Sequence, residues 1–524
     1  MRWIKAALFG MLGGLVAALL MTTTMLILRY VFGMPIPAEL LGDRIAPTMP
    51  VNEFLSLMAR IGGYNKLKMF GVRSVLQGQL GVGLGFGLLY GLLTEWARGR
   101  SSDPDRPRTP RPSVLLVVAA GVLAWLVSIV GFWPVLDTNF RGFPTVWAVL
   151  ATMLGLAVSY GVFGASMVAL YGWSTSRRSL SASATDGQRI GRRAALTLGV
   201  GVAAGIVGGG LLRRLYTLAT FSYDGLRLRG TVVTPITPND QFYCVTKNVV
   251  DPSVWKPVWG LRIDGLVENS RTYDFDEIAA MPSIDQETTL MCISNGVGDG
   301  LISNAKWRGV PLRDLIGQAG PQDGVVEALL HGADGYSDSV AIEKALETTT
   351  LVVYEMNGEP LPERHGYPVR LIVPGLFGEK NIKWVTRVEL VDHDAKGFYE
   401  QQGWGPSFVV PVRSRFFGPD RSKPFPIGQP ITFTGIAFAG NRGISKVEVS
   451  TDDGRTWSEA TIDYRGGPTT WVLWSHEFSP EEAGDRRAVV RATDGAGEAQ
   501  ITRYRGIVPG GSTGLHRVPY VVSA

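Results

Sequence analysis

Five stretches of this chain are each apolar over about 20 residues or more, the length needed to cross a bilayer, and all lie in the first 212 residues: 6–28, 74–93, 113–136, 146–173 and 194–212. No other feature restricts the fold as strongly. A backbone in hydrocarbon must satisfy its own hydrogen bonds, and within one continuous apolar run only a helix does so. The second run carries Gly81, Gly83, Gly85, Gly87 and Gly91, small residues at a spacing that lets helices approach closely.

Orientation follows from the basic residues. Arg2 and Lys5 precede the first run, Arg98, Arg100, Arg106, Arg108 and Arg111 lie between the second and third, and Arg177, Arg178, Arg189, Arg192 and Arg193 between the fourth and fifth. All three groups fall on one side, which the positive-inside bias makes cytoplasmic. An odd number of spans then places everything after residue 212 outside the cytoplasm. The 30–73 loop carries Arg44, Arg60, Lys66, Lys68 and Arg73 but also Glu39, Asp43 and Glu53, so the other loops decide. Arg192-Arg193 before the Gly/Ala-rich fifth run reads equally as a twin-arginine export signal or as an ordinary positive flank. The net charge of +5 does not imply nucleic-acid binding, since these arginines are topology signals. The five histidines, His331, His365, His393, His476 and His516, all follow the apolar runs. A haem held by two histidines within the spans is therefore excluded, and the helical part reads as an anchor.

The remainder has the composition of a soluble protein. It holds the only two cysteines, Cys244 and Cys292, without a CxxC, so iron–sulfur and structural zinc sites lack ligands. A disulfide between them is one reading for an exported chain. The other starts from Thr288-Thr289-Leu290-Met291-Cys292-Ile293-Ser294-Asn295-Gly296. Here an apolar run, expected to be a buried strand, delivers a thiol to a glycine-punctuated loop. Residues 242–245 and 259–267 are further expected strands, 351–355 another, and 310–316 opens a short helix. Basic residues then alternate with turns in His365-Gly366-Tyr367-Pro368-Val369-Arg370 and Gly378-Glu379-Lys380-Asn381-Ile382-Lys383-Trp384, a pattern suited to gripping an anion.

With Met356-Asn357-Gly358-Glu359-Pro360-Leu361-Pro362 and Val373-Pro374-Gly375 added, the stretch from about 239 to 390 resembles the molybdopterin domain of the sulfite oxidase family, in its bacterial membrane-linked form. The resemblance implies an α+β fold holding one molybdenum–molybdopterin cofactor, with Cys292 as the protein thiolate on the metal. It implies that Asn248, His365, Arg370, Lys380 and Lys383 hold the cofactor, and that Tyr336 and Lys247 face the reacting atoms. Lys247 and Val249 stand where sulfite oxidases have arginine and histidine, and no arginine follows Cys292 before residue 305. A doubly charged oxyanion prefers forked guanidinium contacts. Poor sulfite turnover and a neutral or zwitterionic substrate such as a sulfoxide are therefore expected, unless Arg413 or Arg415 folds back into the pocket.

Short alternating strands from about 425, with turns at Asp453-Gly454 and Asp494-Gly495, read as an immunoglobulin-like sandwich. They resemble the dimerisation domain of the same family. The expected architecture is thus multi-domain: a transmembrane bundle of five helices (1–215), a linker (216–235), a molybdopterin oxidoreductase domain (236–420) and an all-β sandwich (425–510). The expected activity is oxygen-atom transfer with a small-molecule substrate on the extracytoplasmic side of the cell membrane. Electrons would pass to a separate carrier or a quinone, and two copies would pair through the sandwich. Sulfite dehydrogenation is the alternative activity, and a surface binding protein with a decayed cofactor fold is the alternative of another class.

Overall fold

The computed structural model describes residues 2–62, 64–100, 111–175, 186–219 and 233–524. Two compact units divide them. One contains residues 1–46, 56–220 and 248–252, and the other contains 47–55, 221–247 and 253–524.

The first unit is helical: α1 (Arg2–Phe32), α2 (Pro37–Ile45), α3 (Val51–Ile61, whose start belongs to the other unit), α4 (Tyr64–Arg100), α5 (Arg111–Phe132), α6 (Thr145–Thr175) and α7 (Asp186–Ala219). Five of these are long and apolar enough to cross a membrane: Trp3–Phe32, Lys66–Ala97, Val114–Val135, Thr145–Ser174 and Ala194–Thr217. The glycine expectation is met on one face only. A Cβ on Gly83, Gly87 or Gly91 would lie 2.5, 2.1 or 2.3 Å from an atom of α1, whereas Gly81 and Gly85 face open space. A glycine at every fourth residue thus lets the backbones of α1 and α4 touch. The 30–73 stretch is more ordered than a loop, since α2 and α3 occupy much of it. Glu39 in the first turn of α2 accepts two 3.1 Å bonds from Arg29 Nε and a 3.0 Å bond from the Ile36 N–H. Arg106, Arg108, Arg177 and Arg178, on which the expected orientation rests, lie outside the described residues, as does most of the expected linker.

The second unit begins with two sheets. One runs β2-β1-β10-β5-β6: β1 (Leu261–Gly265), β2 (Arg271–Tyr273), β5 (Glu327–Gly332), β6 (Ser337–Ala341) and β10 (Val385–Val391), with β1 and β10 parallel. The other is antiparallel, β3 (Ile284–Met291), β4 (Ile302–Pro311), β7 (Leu351–Met356) and β8 (Glu359–Pro360), with β9 (Arg370–Ile372) also paired to β7. Helices α8 (Phe275–Ala280), α9 (Leu312–Ala319), α10 (Ile342–Ala345) and α11 (Phe398–Gln401) are short. The core between these elements contains Leu261, Ile263, Leu315, Leu330, Val352, Leu371 and Val388. The strand expected at 242–245 does not form. The Tyr243 N–H bonds the Ser303 hydroxyl at 3.1 Å, and Phe242 bonds back to the Pro238 carbonyl. Both rings are buried, and the Phe242 ring packs on Trp307 and His365.

The sandwich has a four-stranded sheet, β11-β13-β17-β16, and a five-stranded one, β12-β19-β18-β14-β15. Its strands are β11 (Arg413–Gly418), β12 (Phe425–Pro426), β13 (Ile431–Phe438), β14 (Ile444–Ser450), β15 (Ser458–Glu459), β16 (Thr461–Arg465), β17 (Val472–Phe478), β18 (Gly484–Asp494) and β19 (His516–Ser523). Phe416, Phe433, Val447, Trp474 and Tyr520 fill its core. The expected limits at 425 and 510 cut off β11 and β19. Both carry too many charged or irregular positions to alternate cleanly, yet β11 pairs with β13 and β19 with β18.

Candidate functional site

The site begins where β3 ends. Pairing of Ile284–Met291 with β4 is regular to the Met291–Ile302 pair, and the strand's last four residues are buried. Beyond it the chain turns sharply. The Asn295 N–H bonds the Cys292 carbonyl at 3.0 Å, the Cys292 N–H bonds the Leu301 carbonyl at 3.0 Å, and the Leu301 N–H bonds Asn295 Oδ1 at 2.8 Å. The Cys292 thiol is therefore fixed at the strand end. Both cysteines are free, so no disulfide joins them. Burial, and then the Glu379 carboxyl, push the Cys292 thiol up to about 11, against the Ser294 hydroxyl 3.0 Å from the sulfur. A thiol so placed keeps its proton until a cation replaces it.

The 363–384 segment supplies cations. His365 is buried, and its Nε2 lies 3.0 Å from the Asn239 carbonyl, so Nε2 carries the hydrogen and Nδ1 is an acceptor. Burial, then Arg370 and Lys383, push His365 down to about 3, so it is neutral. Arg370 at the start of β9 is 4% exposed. Its Nη1 donates to the His365 carbonyl and its Nη2 to the Asn381 carbonyl, both at 3.1 Å, while Nε has no partner among the described residues. Burial lowers it to about 10, with only Tyr243 and Cys244 to oppose. Lys383 Nζ donates to the carbonyls of Arg364 at 3.2 Å and Val245 at 3.3 Å and lies 3.9 Å from Cys244 Sγ. Trp384, at φ 53, holds the uncommon left-handed backbone for a bulky residue. Its indole N–H bonds the Glu363 carbonyl at 2.7 Å, which secures the bend that aims Lys383 inward.

A second cluster surrounds Tyr336. Its hydroxyl donates to Asp338 Oδ2 at 2.9 Å and lies 3.3 Å from the Glu379 carbonyl, and its N–H bonds Asp334 Oδ1. Lys247 Nζ donates to the Asp334 carbonyl at 2.9 Å, with the Phe398 ring 5.5 Å away. Burial, then Asp338, raise the Tyr336 phenol well above its ordinary range, so it stays a donor. Lys380 Nζ spends its three donors on Asp338 Oδ1 (2.6 Å), the Ser339 carbonyl (2.9 Å) and Glu400 Oε2 (3.0 Å).

The expected residues thus fall into two groups. Cys292, His365, Arg370 and Lys383 gather around Tyr243 and Cys244, and Tyr336, Lys247 and Lys380 gather around Asp334 and Asp338. Asn248 belongs to the helical unit, where its carbonyl accepts from Lys68 Nζ. Glu379 links the two groups, raising the pKa of both Cys292 and Tyr336. Its own carboxyl is buried and pushed up to about 8 by that burial, and neither oxygen has a side-chain partner among the described residues. Sequence reading passed over Glu379 and Tyr243. No local pattern marks either: it is the fold that presses the turn bearing Glu379 onto the Tyr243 hydroxyl, since a Cβ on Gly378 would meet Tyr243 Oη at 2.3 Å.

Arg413 and Arg415 do return to the loop after Cys292. Arg413 Nη2 donates to the carbonyls of Asn295 at 3.1 Å and Gly296 at 3.0 Å, and Arg415 Nη1 to that of Asp299. They reach it through its backbone.

Residues 248–399 match the family model of the oxidoreductase molybdopterin binding domain, and residues 407–518 that of the Mo-co oxidoreductase dimerisation domain. The mitochondrial sulfite oxidase of Drosophila melanogaster is 29% identical over 323 residues, 52% of this chain and 56% of that protein. The NADH nitrate reductase of Solanum lycopersicum is 27% identical over 322 residues, 49% of this chain and 35% of that protein. Among solved structures, the sulfane dehydrogenase SoxCD from Paracoccus pantotrophus aligns at 25% identity and TM-score 0.46, over 52% of this chain and 76% of that one. The matches therefore span about half of the first relative and a third of the second.

Proposed function

We propose, for a chain that belongs to the sulfite oxidase family of molybdopterin oxidoreductases, that it is a membrane-anchored enzyme moving one oxygen atom to or from a small substrate on the extracytoplasmic face. One observation carries this reading. The buried Cys292 thiol shares its surroundings with a buried Arg370 that has no carboxylate partner among the described residues. A thiolate suits a soft metal. A buried guanidinium bonded only to carbonyls is costly until an anion completes it. A molybdenum–molybdopterin cofactor answers both, so the residues present fit it.

When bound, that cofactor supplies the two-electron change and the oxygen-transfer centre. The chain's own residues do the rest. Cys292 loses its proton on ligation. Arg370 Nε and Lys383 would hold the cofactor's anionic groups, and neutral His365 would offer Nδ1 as an acceptor. Tyr336 holds a proton beside the reacting centre. Lys380, whose donors are all engaged, supports Tyr336 through Asp338. Lys247 provides a single compact charge toward the substrate.

The favoured substrate is neutral or zwitterionic, such as a sulfoxide, because Lys247 and Val249 stand where sulfite oxidases have arginine and histidine, and Arg413 donates to the Asn295, Gly296 and Ser512 carbonyls. Sulfite is the second reading, supported by the similarity to sulfite oxidase. Electrons leave to a separate carrier or a quinone, and two copies pair through the sandwich. Metal analysis should find molybdenum in the purified chain, and Cys292→Ser should abolish turnover while leaving the fold. Full turnover by that variant would overturn the ligand assignment. Steady-state kinetics with sulfite and a small sulfoxide decide the substrate. Reporter fusions after residues 99 and 230 should report opposite compartments, and a shared compartment would overturn the anchoring.

A further inference from the structure

The sandwich holds the strand and turn that carry Cys292 from end to end. Along β3, the Thr289 N–H bonds the Thr469 carbonyl at 3.0 Å, the Trp471 N–H bonds Thr289 Oγ1 at 2.8 Å, and the Thr469 hydroxyl bonds the Glu287 carbonyl at 2.6 Å. Beyond the strand, the Asn295 carbonyl receives two donors, Arg413 Nη2 at 3.1 Å and the Ser512 hydroxyl at 2.8 Å. Arg413 Nη2 also reaches the Gly296 carbonyl, and Nη1 returns to the Ser512 carbonyl at 2.6 Å. Two residues further on, Gly298 lies at φ +87, and a Cβ there would sit 2.6 Å from His516 Nε2.

One hydrogen bond separates this clamp from the cysteine, because the Asn295 N–H closes the turn on the Cys292 carbonyl. Arg413 is also an expensive way to join two domains. It is 8% exposed and, among the described residues, its hydrogen bonds go to carbonyls, so a full charge is buried with the Asp299 carboxylate acting on it but not bonded to it. A neutral side chain reaching the same carbonyls would avoid that cost. Local costs of this kind, without a local gain in stability, mark residues retained for a site.

We propose that Arg413, contributed by the sandwich, is a positioning residue for the Cys292 sulfur: it pins the 293–296 turn so that the thiolate meets the metal in one orientation. The proposal rests on the reading of Cys292 as the molybdenum ligand.

The test uses the full chain in detergent, with Arg413→Gln, Arg413→Lys and Ser512→Ala, and Arg517→Gln as a surface control in the sandwich. In molybdenum-loaded protein, Arg413→Gln should shift the thiolate-to-metal absorption band and the Mo(V) magnetic resonance signature. It should also lower kcat about tenfold, with KM within about twofold. In cofactor-free protein, iodoacetamide should label Cys292 about tenfold faster, with Cys244 in the same digest unchanged. Ser512→Ala should move each readout in the same direction by less, Arg413→Lys should fall between, and Arg517→Gln should move none. If Arg413→Gln does not fold, the other two variants carry the same readouts. Wild-type spectra and labelling rates in every folded variant would overturn the proposal. Failure of the underlying reading looks different, since Cys292→Ser would then keep the wild-type spectrum while the labelling result still reported on the clamp.

Discussion

Arg370 and Lys380 are equally buried, each 4% exposed, one before and one after the turn at 373–375. Their surroundings are opposite. Lys380 meets two carboxylates and a carbonyl, which outweigh its burial and raise its pKa. Arg370 meets two carbonyls, keeps a bare Nε, and is pushed down to about 10 by burial. Burial alone therefore does not mark a ligand-binding cation. What marks it is the shortfall of protein partners. The Lys380 cluster is closed among the described residues, whereas Arg370 keeps a donor to spare, as the proposed cofactor contact requires.

Removing a cation should separate the two. Lys380→Met leaves Asp338 and Glu400 without their cation, each keeping only neutral donors, and should cost about 3–5 kcal/mol, read by urea unfolding of the cofactor-free chain. A loss under about 1 kcal/mol would place Lys380 on the same footing as Arg370 and break the contrast. Arg370→Met should leave cofactor-free stability within about 1 kcal/mol of the parent, yet weaken cofactor retention by about 1.5–3 kcal/mol, or roughly tenfold to a hundredfold. Molybdenum per folded chain measures it, and full retention would close the Arg370 cluster after all.

Glu379 sharpens the same contrast, being a carboxyl on the open side. Its folded pKa is raised to about 8, so the folded state prefers it protonated. The penalty is absent below its ordinary value near 4.5 and grows as pH rises, levelling off above about 8. The cofactor-free chain should therefore lose about 1–2 kcal/mol between pH 6 and 8 through this group. Glu379→Gln should remove that slope, and an unchanged slope in urea midpoints would show that Glu379 has a partner. The smallest effect belongs to Tyr336→Phe. Asp338 keeps Lys380 and the Ser339 N–H, so losing the phenol should cost about 1 kcal/mol, measured the same way.

The sequence was most legible where local pattern and structure coincide. Apolar length marked the five long helices, and Cys292 was placed at a strand end because Leu290 and Met291 lead into Ser294, Asn295 and Gly296. Residues 242–245 looked like a strand because their side chains are large and apolar, but their backbone bonds go to Ser303 and Pro238. The part played by Lys380 was hidden because Asp338 and Glu400 come from distant elements, and a lysine between glycine and asparagine looks alike whether it meets phosphate or carboxylate. Asn248 was placed beside Lys247 by its position in the chain, yet the two residues fall into different compact units.

The clamp on the Cys292 turn also has a consequence for timing. Ser512 lies 217 residues beyond Asn295, and His516 follows it. A ribosome releases residues in order, at about 5–20 per second. The turn is therefore synthesised tens of seconds before the segment that fixes it exists. During that interval the turn has its own bonds to Leu301 but lacks the Arg413 and Ser512 donors, so a cofactor arriving early would meet the thiol without the proposed clamp. Under the proposed clamp, the thiol reaches its final orientation only once the sandwich is complete, so the order of synthesis sets the order of assembly.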